Sequence, residues 1–163
     1  MTAAIHDDLS AFAGSLPANR AIVALDLGDK TLGIAVSDTA RSIASALETI
    51  RRGKFSADAA RLLDICAGRR ICGIILGLPL NMDGSEGPRC QATRAFARNL
   101  ARLTETPIAF QDERLSTVAA ERILLAADAS RKKRAAVIDH VAASYILQAA
   151  LDRLRYLERH HAQ

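Results

Sequence analysis

The sequence predicts an α/β fold in which an antiparallel hairpin opens a sheet that helical crossovers then extend in parallel. Three observations carry that expectation. Two apolar runs, AIVALDL and LGIAVSD, flank the short turn Gly28-Asp29-Lys30. A later run, ICGIILG, is apolar without alternation, as in a strand covered on both faces. Segments with helical spacing separate the strands that follow.

The elements follow in chain order. Residues 1–19 read as a weakly ordered lead closed by Pro17 and Asn19, and 20–160 as one folded domain. The first two strands span 21–27 and 32–38, and a third, rich in alanine, covers 42–50. A helix is expected over 56–68. Ser56 is its candidate N-cap, Leu62, Leu63 and Cys66 share one side, and Gly68 suits its C-terminal end. After ICGIILG, the loop LPLNMDGSEG leads to a helix that starts near Pro88, where the missing N–H has no helical partner. PIAFQDE is the next strand, and helices over 116–127 and 135–159 complete the order β-β-β-α-β-α-β-α-α.

With 163 residues, 50% of them hydrophobic and 25% charged, the chain fits one globular domain and is too apolar for a disordered tail. Twenty-two basic against 18 acidic residues leave +4, a modest excess that permits a nucleic-acid partner without demanding one. The absence of tryptophan, with 4% aromatics, argues against an extended stacking platform for single strands. Cys66, Cys72 and Cys90 fit no close CxxC metal spacing, so buried thiols and a reducing cytosol are expected. The opening MTAAIHDDLS has early acids and no basic stretch leading into an apolar run, so no secretory signal is expected. The longest apolar run, 71–80, is too short to span a membrane, so a soluble protein is expected.

Three acids stand where structure would favour an apolar residue or a strand end. Asp26 closes the first apolar strand, and Glu113 follows IAFQD at its C-terminal end. Asp139 precedes Ala142, Ala143 and Ile146 by three, four and seven residues, which sets it on the apolar face of the last helix. Sites in open α/β sheets gather beyond the carboxyl ends of the strands, where Asp26 and Glu113 would meet. Crowded carboxylates need a cation, and an all-oxygen set favours Mg²⁺ or Mn²⁺. Such a cluster would support two-metal phosphodiester hydrolysis. Any one of these acids is more often a cap or an ion-pair partner; the three together favour the metal site.

Neighbouring residues suit a phosphate. Lys30 offers a cation near Asp26, although a turn lysine can equally be solvated. Asn81 and Ser85 can hold their loop or contact a backbone phosphate, and Asp83-Gly84 is a turn. Arg94, Arg98 and Arg102 form a stripe better explained as a solvated helix face. The run Arg131-Lys132-Lys133-Arg134 places four cations upstream of Asp139, where a polyanion would come. His140 points about 100° away from Asp139 around the helix and stays outside the site.

ALDLGDKTLGIAVSD, GLPLNMDG, DERLST and IDHVAASYIL occur here in the order of the YqgF family, also called RuvX. The sequence resembles this bacterial group from about Arg20 to Tyr156. Its members are described as Holliday-junction-resolvase-like proteins or pre-16S rRNA nucleases. The resemblance implies a ribonuclease-H-like fold, with a mixed five-stranded sheet flanked by helices. It carries a catalytic and metal-binding triad onto Asp26, Glu113 and Asp139, the same three acids. Lys30, Asn81, Arg114, Lys133 and Arg134 stand as candidate substrate contacts. The implied activity is metal-dependent cleavage at the 5′ end of the small-subunit rRNA precursor, in the cytoplasm. The family often has threonine where this chain has Asp29, an extra carboxylate that could tune the metal or repel a phosphate. In RKKRAAVID, Lys132 and Lys133 stand farther from Asp139 than in a tight Lys-x-x-x-Asp pattern, so Lys133 or Arg134 would take that role.

Structured precursor rRNA is the favoured partner and branched DNA the alternative. A non-cleaving RNA-binding assembly factor is a third reading. An actin-like ATPase or sugar kinase, suggested by DLGDKTLGIAVSD, would need a second related domain. The chain would act as a monomer or a homodimer, since only a two-fold substrate calls for a dimer.

Overall fold

The computed structural model describes residues 2–115 and 131–161, with the backbone alone for 115, 131–140 and 161. Its centre is a six-stranded sheet ordered β1-β6-β5-β2-β3-β4. The strands are β1 (Ile5–His6), β2 (Val23–Leu27), β3 (Thr31–Ser37), β4 (Ala44–Arg51), β5 (Ile74–Leu78) and β6 (Ile108–Asp112). Around them lie α1 (Leu9–Gly14), α2 (Phe55–Gly68), α3 (Pro88–Ala101) and α4 (Arg131–His161). β2, β3 and β4 pair antiparallel, whereas β5 joins β2, β6 joins β5 and β1 joins β6 in parallel.

The apolar runs are continuous because both faces are covered. Side chains alternate along a strand, so Val23, Leu25 and Leu27 of β2 meet Leu62 of α2 and Leu100 of α3. Ala24 faces the other way, into a core shared with Ala143, Ile146 and Leu147 of α4. Among the described residues, no helix is long and apolar enough to cross a membrane. Cys66, Cys72 and Cys90 are free and buried, as expected of thiols without a metal spacing.

Several expectations need correction. The sheet has six strands rather than five, because residues 1–19 are not a loose lead. Ile5–His6 adds an edge strand to β6, tied by the Ala3 N–H donating to the Ala101 carbonyl at 2.8 Å. Asp8 caps α1 by accepting the Ser10 N–H at 2.8 Å, and Phe12 is fully buried. A two-residue strand and a six-residue helix are too short to display a period. Ser56 is not the N-cap of α2. That helix starts at Phe55, and its first-turn acid, Asp58, accepts the Gly53 N–H at 3.2 Å. At the far end Gly68 remains helical and Arg70 takes the left-handed conformation, with φ 53°. The last helix is described from Arg131 onward and so takes in the basic run, which was expected to precede it. The helix expected over 116–127 lies outside the described residues.

Candidate functional site

The parallel strands β2, β5 and β6 run the same way, so their C-terminal ends open onto one edge of the sheet. Register sets the site there. Leu25 pairs with Leu76, so one residue further Asp26 is level with Gly77. Gly77 pairs with Gln111, and Asp26 pairs with Gly33 on its other side. Gly33, Asp26, Gly77 and Gln111 therefore form one row across the sheet. They lie two residues beyond Ala35, Ala24, Ile75 and Ala109, whose side chains share a core with α4, so the row faces α4 as well.

Asp26 is 1% exposed, and neither cross-strand neighbour carries a side chain beside it. Glu113 opens a 3-10 turn, Glu113–Leu115, directly after β6. Its side chain folds back over Gly77. Oε1 lies 2.7 Å and Cγ 3.3 Å from the point a Cβ on Gly77 would occupy, and Ile146 Cδ1 lies 2.5 Å from the same point. A glycine is required here so that a carboxylate and a helix side chain can share the space. The Glu113 carboxylate thus lies over the residue that is level with Asp26.

The third, Asp139, stands on α4 two helical turns before Ile146, the residue seated against Gly77. Its side chain lies outside the described residues, as do those of Lys133 and Arg134, whose backbone is helical. Among the described residues, no three His, Cys, Asp or Glu side chains gather as metal ligands.

The remaining expected contacts surround the same end of the sheet. Lys30 is exposed in the β2–β3 turn, which the Arg52 guanidinium braces by donating to the Gly28 carbonyl at 2.6 Å. Asn81 holds its own loop: Nδ2 donates to Ser85 Oγ at 2.9 Å, and its carbonyl accepts the Gly84 N–H at 2.8 Å. Asp83 accepts from the Ser85 hydroxyl and N–H, which holds its carboxyl below the ordinary carboxylate range. Arg114 is a tie between strand and loop. Nη2 donates to Asp112 Oδ2 at 2.8 Å and Nη1 to the Met82 carbonyl at 3.2 Å. Burial pushes the Asp112 carboxyl up, but the bonds from Arg114 outweigh it and leave the pKa lowered. Arg94, expected as a solvated surface arginine, instead pairs with Glu86 at 2.6 Å and Asp7 at 2.7 Å.

Sequence reasoning missed Gly77, Gly33 and Gln111. The signal was present as same-face parity: each stands two residues beyond a small or apolar core residue, but only the register between strands makes them one row.

The model of the RuvX family, described as Holliday junction resolvase, matches residues 20–153. A protein of Ruegeria sp. (strain TM1040), named as a pre-16S rRNA nuclease, is 68% identical over 153 residues, covering 94% of this chain and 98% of the relative. Among solved structures, RuvC of Thermus thermophilus gives a TM-score of 0.51 at 14% identity, covering 85% of this chain and 96% of that one. The yeast mitochondrial Holliday junction resolvase gives 0.50 at 10% identity, covering 94% and 86%. What these two structures share with the chain is the fold, a ribonuclease-H-like α/β sheet flanked by helices.

Proposed function

Because the chain belongs to the RuvX family, we propose that it is a metal-dependent endonuclease that processes the 5′ end of pre-16S rRNA in the cytoplasm. The observation that carries this reading is the Glu113 carboxylate lying over Gly77, level with the buried Asp26, at the edge where three parallel strands end. The choice of RNA rests on the relative at 68% identity over nearly the whole chain, whose name is that of a pre-16S rRNA nuclease. Free, buried thiols suit the reducing compartment.

The donors fit a divalent cation. Asp26 and Glu113 offer only carboxylate oxygens, and the missing Cβ of Gly77 leaves room for one carboxylate beside the other. Two negative charges so placed are unfavourable unless neutralised. We assign Asp26, Glu113 and Asp139 as the ligand set for Mg²⁺ or Mn²⁺ in a two-metal arrangement. When bound, such cations supply Lewis-acid stabilisation of charge at a phosphodiester. The chain's own residues position the strand. Lys30, and from α4 Lys133 and Arg134, would take phosphates, while Arg114 fixes the Asn81 loop against the end of β6.

The test is cleavage of a precursor rRNA fragment by the purified protein in Mg²⁺, in Mn²⁺ and in EDTA, beside Asp26→Asn. Expected is metal-dependent cutting that the variant lacks while keeping the wild-type melting temperature. Binding without cutting, equal in both proteins, would overturn the nuclease in favour of an assembly factor. A four-way DNA junction in the same assay separates the second reading, which the family's description favours. Faster cutting of the junction would replace RNA by branched DNA.

A further inference from the structure

Gln111 is the member of the site row that neither packing nor the carboxylate chemistry explains. It is 5% exposed, in a strand that is otherwise apolar until its last residue. A polar side chain in such a strand is most readily accommodated where it borders a space rather than a packed core. Gln111 lines a cavity of about 620 Å³ between the β1–α1 connection, β6 and α4. That volume is within the range of about 300–1,000 Å³ found for ligand sites.

Location ties this cavity to the site. Gln111 pairs with Gly77, over which the Glu113 carboxylate lies, and both stand in the row of Asp26. A strand held at those carboxylates would thus bring its neighbouring nucleotide to the Gln111 amide. The charge of the walls decides which part of the nucleotide enters. Asp7, Asp8 and Asp112 face one arginine, Arg153, around the cavity. Asp7 and Asp112 are already paired with Arg94 and Arg114, which lie outside the lining. With those pairs formed, Asp8 and Arg153 balance, and a rim without net positive charge offers a phosphate little. An uncharged group bearing both donors and acceptors suits it, and the amide, with one acceptor and two donors, complements a base edge.

We propose that Gln111 is a specificity-determining residue that reads the base of an RNA nucleotide turned into this cavity beside the cleavage site. Unstacked bases read at their edges are the usual means by which proteins recognise RNA sequence. The assignment rests on the nucleic-acid reading above, but it is tested by binding, so the two can fail separately.

The experiment measures the affinity of short single-stranded RNAs of A, C, G or U by fluorescence anisotropy in EDTA. The proteins are wild type, Gln111→Leu, which keeps the bulk, and Gln111→Glu. Expected is a base preference of about tenfold in wild type that Gln111→Leu flattens. Gln111→Glu should shift it toward cytosine, whose amino group donates to a carboxylate. An identical ranking in all three proteins, or none in wild type, overturns the proposal. DNA strands of the same sequences form a second arm. If Gln111→Leu alters only the RNA-to-DNA ratio and not the base ranking, the amide reads the 2′-hydroxyl and the base assignment falls. Base discrimination that depends on Gln111, in a protein that cuts no RNA in Mg²⁺, leaves this pocket standing and removes the nuclease.

Discussion

Replacing Gly77 by alanine tests the site where it is most tightly specified. The new Cβ would stand 2.7 Å from Glu113 Oε1 and 2.5 Å from Ile146 Cδ1. Relaxed contacts between carbon atoms are about 3.5–4.0 Å, so the Ile146 methyl must retreat by about 1 Å and the carboxylate by somewhat less. Both atoms end flexible side chains, so the fold should survive. Overpacking of this kind costs about 1–3 kcal/mol, of which about 0.5–1 kcal/mol is returned by the less flexible unfolded chain. A catalytic group misplaced by about 1 Å can lose about a hundredfold in rate. We therefore expect Gly77→Ala to cleave precursor rRNA about a hundredfold more slowly while melting only a few degrees lower, at about 2–4 °C per kcal/mol. Two companions sharpen the result. Ile146→Val, which lacks Cδ1, should restore stability to Gly77→Ala without restoring cleavage. Gly68→Ala, with nothing within 4 Å of the added carbon, should leave cleavage unchanged and raise stability slightly. Wild-type cleavage by Gly77→Ala would mean that Glu113 is not needed where the structure puts it.

The first residues should matter to stability. Phe12→Ala empties a fully buried site that packs over Gly73 and should cost about 3–5 kcal/mol in chemical denaturation; a loss under about 1 kcal/mol would mean that α1 is not docked. Acid should destabilise the fold. The Asp38 carboxyl is lowered by the Ile43 and Ser42 N–H groups, Asp83 by Ser85 and Glu86 by Arg94, so each is held below its unfolded value. Their stabilisation is complete above the unfolded pKa values and is lost as pH falls through the folded ones, so urea midpoints should hold steady above about pH 5 and drop below about pH 4. A midpoint unchanged down to about pH 2 would contradict those contacts. The thiols should be slow to alkylate in the native protein at neutral pH, since burial pushes Cys66 up to about 12 and raises Cys72 and Cys90 as well; fast native labelling would refute their burial.

The strands, the hairpin and the placing of Asp26 and Glu113 at one end of the sheet were legible because each leaves a local trace. An apolar run without alternation announces a doubly covered strand, and an acid at its end announces something other than packing. Lys30, Asn81 and Arg114 also come to the same end of the sheet as Asp26. What escaped has a common cause. β1 has only two residues and gains its stability from β6, about a hundred positions away in sequence. Ser56 looked like a cap, yet Asp58 reaches back to Gly53, since any acceptor in the first turn that can meet a free N–H will serve. Gly77 and Gln111 gain meaning only from the register of β5 against β2 and β6. Register is a property of pairs of strands, and a single run does not contain it.

That register also explains how a buried carboxylate is tolerated at the end of a core strand. On the face toward α4, the row Ala35, Ala24, Ile75 and Ala109 is apolar and mostly small. It meets Ala142, Ala143 and Ala150, so helix and sheet can approach closely. Two residues on, the row becomes Gly33, Asp26, Gly77 and Gln111. An apolar row thus gives way to one with a carboxylate and an amide within a single step of the pleat. Gly77 does not weaken the sheet to no purpose: a side chain there would displace Glu113 and Ile146. The opposite face keeps Leu25, Leu32 and Leu76 in an unbroken core with α2 and α3, so the strands stay anchored while their other face is opened. α4 takes part in both roles. Its alanines bring it down onto the apolar row, and the preceding turns, which carry Asp139, Arg134 and Lys133, then run toward the end of the sheet that holds Asp26 and Glu113. Replacing Ala143 by a large side chain should therefore damage cleavage more than a surface change on the same helix, because it would lift those turns away from the site.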